Sequence, residues 1–364
     1  MRWVAAVIVL GVVVAVAGAG GWLAYQWQSP YQGYRGKSAV VDIQRGTTTR
    51  EIGKQFEQAG VVRSAMAFEL WSRLHPREKL EAGEYRFDQA MTPPQVFEMV
   101  AQGRVWTVTL TVPEGWTMFD IADAVERDGL ANRTAFLRAA RDTSLIHNLA
   151  PDVPTLEGFL FPATYQFPHR TTAQAVAREM VARFRQAWAN LTRNGALPPS
   201  LTPEQVVTLA SLVEEETPNP AEKPIIAGVF MNRLRLGYPL ECDPSVVYAL
   251  KLAGRYQGQL HAPEMGFHSP YNTYLHYGLP PGPIGNPGMA SLKAALEPAH
   301  TGYLYFVADG RGGHAFSRTL AEHRRNVARY RELVAAKKKE DLVQRRQQGP
   351  VATHDHHAGS ETHP

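Results

Sequence analysis

From Trp3 to Tyr25 the chain carries no charged residue, and this run constrains the rest more than any other feature. About 20 apolar residues in an α-helix cross the hydrocarbon core of a bilayer. In lipid, every backbone N–H and C=O has to be satisfied within the segment, so a run of this kind folds as a helix there. Arg2 and the amino terminus precede it; Gln26, Gln28 and Ser29 follow, with Arg35 and Lys37 beyond. A short basic N-terminus stays on the cytoplasmic side. The expectation is a single-pass anchor over 3–25 in the cell (inner) membrane, with residues 1–2 as a cytoplasmic stub. A cleaved signal peptide is the competing reading, because Ala17-Gly18-Ala19 offers a small-residue cleavage site. Both readings place the bulk of the chain outside the cytoplasm.

What remains is long enough for about two domains in a 364-residue chain. A net charge of +4 does not call for a nucleic-acid partner, and it tolerates an anionic polymer or membrane surface. Cys242 is the one cysteine, which excludes a disulfide scaffold and a Cys-based zinc site. The sequence contains no GxxxxGK[ST], HExxH or GxGxxG, so neither a metal nor a cofactor is expected.

Ser29 to Ser38 reads as a linker over 26–38. Ala39-Val-Val-Asp-Ile alternates as a strand, and Gly46-Thr-Thr-Thr begins a helix. Ala82-Gly-Glu-Tyr-Arg-Phe is a second strand, and Thr92-Pro93-Pro94-Gln95 starts another helix. These pieces predict a strand–helix–helix–strand–helix module over 39–108. Val105 to Val112 is a further strand, and Val112-Pro-Glu-Gly-Trp-Thr repeats the strand-to-helix step, hinting at a second related unit. A larger domain spans 109–335. In it, Thr202-Pro203-Glu204-Gln205 caps a helix, Tyr303 to Val307 and His314 to Ser317 form a hairpin, and Thr319 to Glu322 opens the last helix. Residues 336–364, with His354, His356, His357 and His363, read as a disordered tail. The fold class is therefore α+β: a transmembrane helix, a small α+β module and a larger α+β domain.

Chemistry points to the helix ending in Glu214-Glu215-Glu216-Thr217-Pro218. Acidic side chains are disfavoured at a helix C-terminus, so helix stability does not explain the run. At about 100° per residue, Glu216 continues the Val206, Leu209 and Val213 stripe, Glu214 stands at right angles to it, and Glu215 points away. Glu216 is then the most desolvated of the three. Burial and two like charges would raise its pKa, as a general acid at neutral pH requires.

Leu209-Ala-Ser-Leu-Val-Glu-Glu-Glu-Thr217 resembles the signature of the endolytic murein transglycosylases, the MltG or YceG-like group. The resemblance continues through Leu156 to Tyr165, Val229 to Leu234, Asp243 to Tyr248, Tyr271 to Tyr274, Gly278 to Ile284, Tyr303 to Gly310 and Gly313 to Phe316. It implies a LysM-like module over 39–108 and a catalytic domain over 109–335. In the family the last glutamate of the Glu-x-Glu-Thr run is catalytic, which is Glu216 here, the residue the helical wheel selects on its own. The middle position is Glu215, where relatives commonly carry Lys. The implied reaction cuts the β-1,4 bond between MurNAc and GlcNAc of peptidoglycan strands and closes a 1,6-anhydro ring. The implied setting is the trimming of nascent strands beside penicillin-binding glycan synthases.

A lone acid/base needs polar support. Glu157, Asn232, Asp243, Asn272, Thr273 and Tyr274 are candidates, and Tyr165, Tyr271, Tyr274 and Phe316 are candidates to line a sugar groove. Each has a plainer reading: Asn272-Thr273 and Glu157-Gly158 as turns, Asp243 before Pro244 as a helix start, Asn232 as a structural hydrogen bonder, the aromatics as core. His314 is either a second proton carrier or a hairpin histidine held by a backbone carbonyl. Two other functions compete with the transglycosylase. One is a peptidoglycan-binding scaffold with little cutting activity; the other is a conventional hydrolase with Asp243 or Glu157 as its second carboxylate.

Overall fold

The computed structural model describes residues 2–193, 197–198 and 200–347. The chain forms two compact units that alternate along the sequence. The first comprises Met1–Thr111, Ala124–Arg133 and Thr164–Val176; the second comprises Val112–Asp123, Thr134–Ala163 and Ala177–Pro364. The units therefore do not meet at a single boundary near residue 108. The reason is strand pairing: β3 (Thr107–Thr111) pairs antiparallel with β4 (Thr164–Pro168), which brings a distant segment into the first unit.

The first unit begins with α1 (Arg2–Gln28), whose Trp3–Gln28 stretch is long and apolar enough to cross a membrane and whose most apolar part is not buried by the protein. β1 (Ala39–Ile43) pairs antiparallel with β2 (Gly83–Phe87), with Val41 opposite Tyr85. Between them lie α2 (Thr49–Gln58) and α3 (Ala65–Leu74), and α4 (Pro93–Ala101) follows. The expected helix starts are present: Thr48 and Glu51, and Thr92 and Gln95, form reciprocal capping boxes. Period-2 alternation turns Ala39, Val41 and Ile43 inward onto Phe56, Phe68, Phe87 and Phe97. Phe56 meets Phe68 and Phe87 edge-on, at centroid distances of 5.2 and 5.5 Å.

The hint of a second unit of the same kind holds in element order. α5 (Met118–Arg127) and α6 (Arg133–Ala139) separate β3 from β4, and α7 (Ala173–Thr192) follows.

The second unit is built around α8 (Pro203–Glu216), against which α9 (Lys223–Leu236), α10 (Asp243–Leu252) and α11 (Met289–Leu296) pack. Every residue from Val206 to Val213 is buried, so α8 has no solvated side along this stretch. β5 (Tyr305–Ala308) and β6 (His314–Ser317) make the expected hairpin. α12 (Leu320–Gln347) runs past the expected start of the tail at 336. Residues 336–347 are rich in Ala, Lys, Glu, Leu, Gln and Arg, all good helix formers, and a reading by polarity alone missed that preference. The tail histidines lie outside the described residues.

Candidate active site

Thr202 caps α8 reciprocally with Gln205, and Pro203 occupies its first turn. The helix stops at Thr217, which is extended and 1% exposed. Three consecutive carboxylates precede that stop, and each meets a different environment.

Glu214 is sealed in. Its Oε1 accepts from Lys223 Nζ at 2.6 Å and its Oε2 from the Gly288 N–H at 2.9 Å. Glu215 opens into a cleft of about 740 Å³, walled by Glu114, Trp116, Asp120, Asp243, Tyr248 and Lys251. Its side chain is exposed to solvent within that cleft. Desolvation pushes its carboxyl up to about 7; Lys251 works against the rise, and Glu214, Asp120 and Glu216 add to it. Gly115 makes room for it: at φ +82°, a Cβ there would stand 2.6 Å from Glu215 Oε1.

Glu216 is half-buried and is not among the residues that line that cleft. Desolvation raises its pKa, and the neighbouring Asp243 raises it further. The adjacent Cys242 thiol, acting as a donor toward it, together with His314 and Arg233, works the other way. Cys242 is 1% exposed, and burial together with the Glu216 charge pushes its thiol well up, so it is an S–H donor. The wheel placed Glu216 in more shelter than Glu215, as observed. It missed that Glu214 is sealed in by an ion pair, because the wheel assumes one wet face and α8 is covered on all sides from Val206 to Val213.

Asp243, in the first turn of α10, opens into the cleft and accepts the Tyr274 hydroxyl on Oδ1. Glu216 thus has an acidic neighbour. Asn272 and Thr273, 0% and 1% exposed, support this corner from within. Asn272 Nδ2 donates to the Met265 and Phe267 carbonyls, and Thr273 Oγ1 accepts the Cys242 N–H at 2.9 Å. Arg233 donates to the carbonyls of Leu304, Pro239 and Leu240 and to Glu241 Oε2. Those bonds hold Glu241 at φ 53°, a left-handed conformation unusual for a residue with a side chain, directly before Cys242 and Asp243.

Glu157 is 2% exposed and lies beneath the cleft. Its carboxylate accepts the Met118 N–H at 2.9 and 3.0 Å, and Asn286 Nδ2 at 2.7 Å. Burial pushes its pKa up to about 8 against these donors and the Tyr248 hydroxyl. Glu157 therefore holds the start of α5 and is closed to solvent. Tyr271 packs on Tyr248 at 5.0 Å between centroids and is pushed up to about 12 by burial.

His314 Nδ1 bonds Glu222 Oε2 at 2.7 Å, and the His314 N–H reaches Glu222 Oε1 at 2.9 Å. A carboxylate takes the place of the expected carbonyl, and Glu222 also accepts the Thr217 hydroxyl at 3.3 Å.

Two candidates stand elsewhere. Asn232 donates to the Thr301 and Tyr303 carbonyls and lines a larger groove of about 1040 Å³ by the N-terminal half of α8. That groove gathers no cluster of carboxylates, so size does not mark the chemistry. Tyr165 lies in β4 of the first unit, 4% exposed and stacked on Phe167.

Sequence reasoning missed Asn286, a fully buried hub. It donates to the Trp116 carbonyl and Glu157, and accepts from the Leu160 N–H. Its one visible signal is a polar residue between Gly285 and Pro287, in a loop too rigid for an idle side chain. Glu114 was missed as well. Its carboxyl is raised by desolvation and Glu214, and a Cβ on Gly288 would stand 1.8 Å from its Oε1.

Residues 41–329 match the model of the YceG-like family. The chain is 30% identical over 305 residues to an endolytic murein transglycosylase of Bacillus subtilis (strain 168), covering 80% of this chain and 84% of that one. It is 31% identical over 354 residues to an endolytic murein transglycosylase of Streptococcus pneumoniae serotype 2 (strain D39), covering 88% of this chain and 64% of the longer pneumococcal protein. It is also similar to the crystal structure of a yceG-like protein from Listeria monocytogenes. The TM-score there is 0.53 at 30% identity, covering 79% of this chain and 98% of that one.

Proposed function

The chain belongs to the YceG-like family, and from that membership we propose that it is a lytic transglycosylase cutting peptidoglycan strands from within, anchored by α1 with its catalytic unit outside the cytoplasm. Glu216 is the acid and the base. The observation that carries this reading is its place: half-buried at the close of α8 beside the carboxylate-lined cleft, its pKa raised by desolvation and by Asp243, so that it keeps a proton for donation.

In the proposed step Glu216 gives its proton to the glycosidic oxygen as the bond from MurNAc C1 to that oxygen breaks. The carboxylate so formed accepts the proton of the MurNAc C6 hydroxyl, whose oxygen bonds to C1. One bond breaks, one forms, Glu216 ends protonated, and no water is consumed. Closure within one sugar benefits from an effective molarity on the order of 10⁵ M or more in favourable cases. The neighbouring Cys242 S–H, as a donor, favours the intermediate carboxylate.

Asp243 favours one second reading, since a carboxylate beside the acid could activate water and make the enzyme a hydrolase. Mass spectrometry of digested strands separates the two: 1,6-anhydroMurNAc ends support the transglycosylase and reducing ends the hydrolase. A Glu216→Gln variant is expected to lose about 10²–10⁴-fold in kcat. Anhydro products at the parent rate from that variant would reject the assignment.

The β1-α2-α3-β2 arrangement suits a LysM-like, glycan-holding module, and trimming of nascent strands beside penicillin-binding synthases fits an enzyme tethered at the membrane.

A further inference from the structure

The first unit grips the end of its own membrane helix. Trp27 Nε1 donates to the Ala67 carbonyl of α3 at 2.9 Å, and the Trp27 and Trp71 rings meet edge-on at 5.2 Å. One turn along α3 from Ala67, Trp71 shares a hollow of about 400 Å³ with Gly20, Leu23, Ala24, Trp27, Gln28 and Pro94. Arg63, just before α3, donates to the Pro30 carbonyl beyond the end of α1, Ala67 meets Trp27, and Trp71 reaches the stretch from Gly20 to Gln28, an order in which α3 runs antiparallel to α1 with its C-terminal end toward the bilayer. About 20 residues counted from Trp3 bring α1 to the lipid boundary near Leu23. Trp71 and Pro94 stand at that depth.

The corner nearest the bilayer has the composition of an interfacial surface. Leu74 closes α3 with 59% of its surface open, and Arg77 and Lys79 are exposed just after it, with Glu78 between them. Arg50 and Lys54 of α2 and Arg73 of α3 line the adjoining groove of about 660 Å³, where Glu57 and Glu69 offset part of their charge and Arg73 pairs with Glu69. Trp22 and Tyr25 are exposed on α1 at the same level, as aromatic side chains are at membrane–water boundaries.

We propose that this corner of the first unit, Leu74 with Arg77 and Lys79 at the end of α3, docks on the bilayer itself, Leu74 dipping below anionic phospholipid headgroups that the cations hold. The inference rests on the anchoring of α1 and goes beyond it: the unit lies against the membrane rather than hanging from a free tether. Cations near an anionic leaflet and an inserted apolar side chain act together in such contacts.

The test uses the full chain in nanodiscs of phosphatidylcholine and phosphatidylglycerol, with a fluorophore on Leu74→Cys, Gln58→Cys or Val12→Cys. Cys242, 1% exposed, stays unlabelled. Gln58 ends α2 at the far side of the α2–α3 hairpin, about 15 Å from the bilayer-facing end of a ten-residue helix. With quencher on the lipid headgroup region, the Leu74 label is expected to dim at least about twofold more than the Gln58 label. Arg77→Glu with Lys79→Glu should bring it to the Gln58 level. Mid-chain quencher should dim the Val12 label throughout. Equal dimming of the Leu74 and Gln58 labels, with Val12 embedded, overturns the docking surface and leaves the anchor standing. An undimmed Val12 label removes the anchor and the docking together. Dimming at Leu74 that ignores the charge reversal overturns the anionic headgroup as partner.

Discussion

Lys223 Nζ lies 2.6 Å from Glu214 Oε1, with the two side chains 3% and 7% exposed. The first carboxylate of the run is thereby used up in joining the end of α8 to the start of α9, which leaves Glu215 on the cleft wall and Glu216 half-buried next to it in sequence. Breaking a buried pair strands the surviving charge. Lys223→Met is expected to cost about 3–5 kcal/mol in chemical denaturation. Glu214→Gln combined with Lys223→Met should recover most of that loss, since neither charge remains. A double variant no better than the single would contradict the pairing.

The Cys242 bond to Glu216 favours the anion, so removing it raises the Glu216 pKa further. A general acid works while protonated, and activity falls as pH rises through its pKa. Cys242→Ala should therefore move the alkaline limb of the kcat profile to higher pH, and Cys242→Ser, which keeps a donor, should move it less. Limbs that coincide in all three proteins would rule out the contact as a modulator of Glu216.

Burial pushes the Glu157 carboxyl up to about 8 in the fold, against about 4.5 for an ordinary glutamate. The folded state therefore prefers the protonated form. That contribution is complete below about 4.5 and is lost as pH rises through about 8. Thermal melts of the parent and of Glu157→Gln across that window check it: the parent's midpoint should fall relative to the variant's as pH rises. A constant difference from pH 5 to 9 would show that burial does not govern this carboxyl.

Gly115 and Gly129 both adopt positive φ, +82° and +77°, but only Gly115 has a carboxylate where its Cβ would be. Gly129→Ala carries the backbone cost alone, about 1–2 kcal/mol. Gly115→Ala should cost more than that and should also lower kcat by displacing Glu215. Equal losses of stability in the two variants would mean that Glu215 moves aside freely.

Local signals in the sequence were legible wherever one segment decided the outcome. Thr48, Thr92, Thr202 and Thr319 cap the helices they were expected to start, because capping depends on residues three apart. The helix end at 336 failed for a related reason: polarity was read there without helix propensity. The helical wheel worked only in part, since it assumes one dry face and one wet face, and α8 is dry all around from Val206 to Val213.

By itself the sequence determined the apolar helix at the start, the order of strands and helices within the 39–108 module, and the three carboxylates as the place to look, since periodicity, charge and capping are local properties. Only the tertiary structure decided that Glu214 meets Lys223, that Asp243 stands beside Glu216, and that Asn286 binds Glu157 across 129 residues of chain. Desolvation and charge pairing depend on which segments meet in space, and no single segment carries that information.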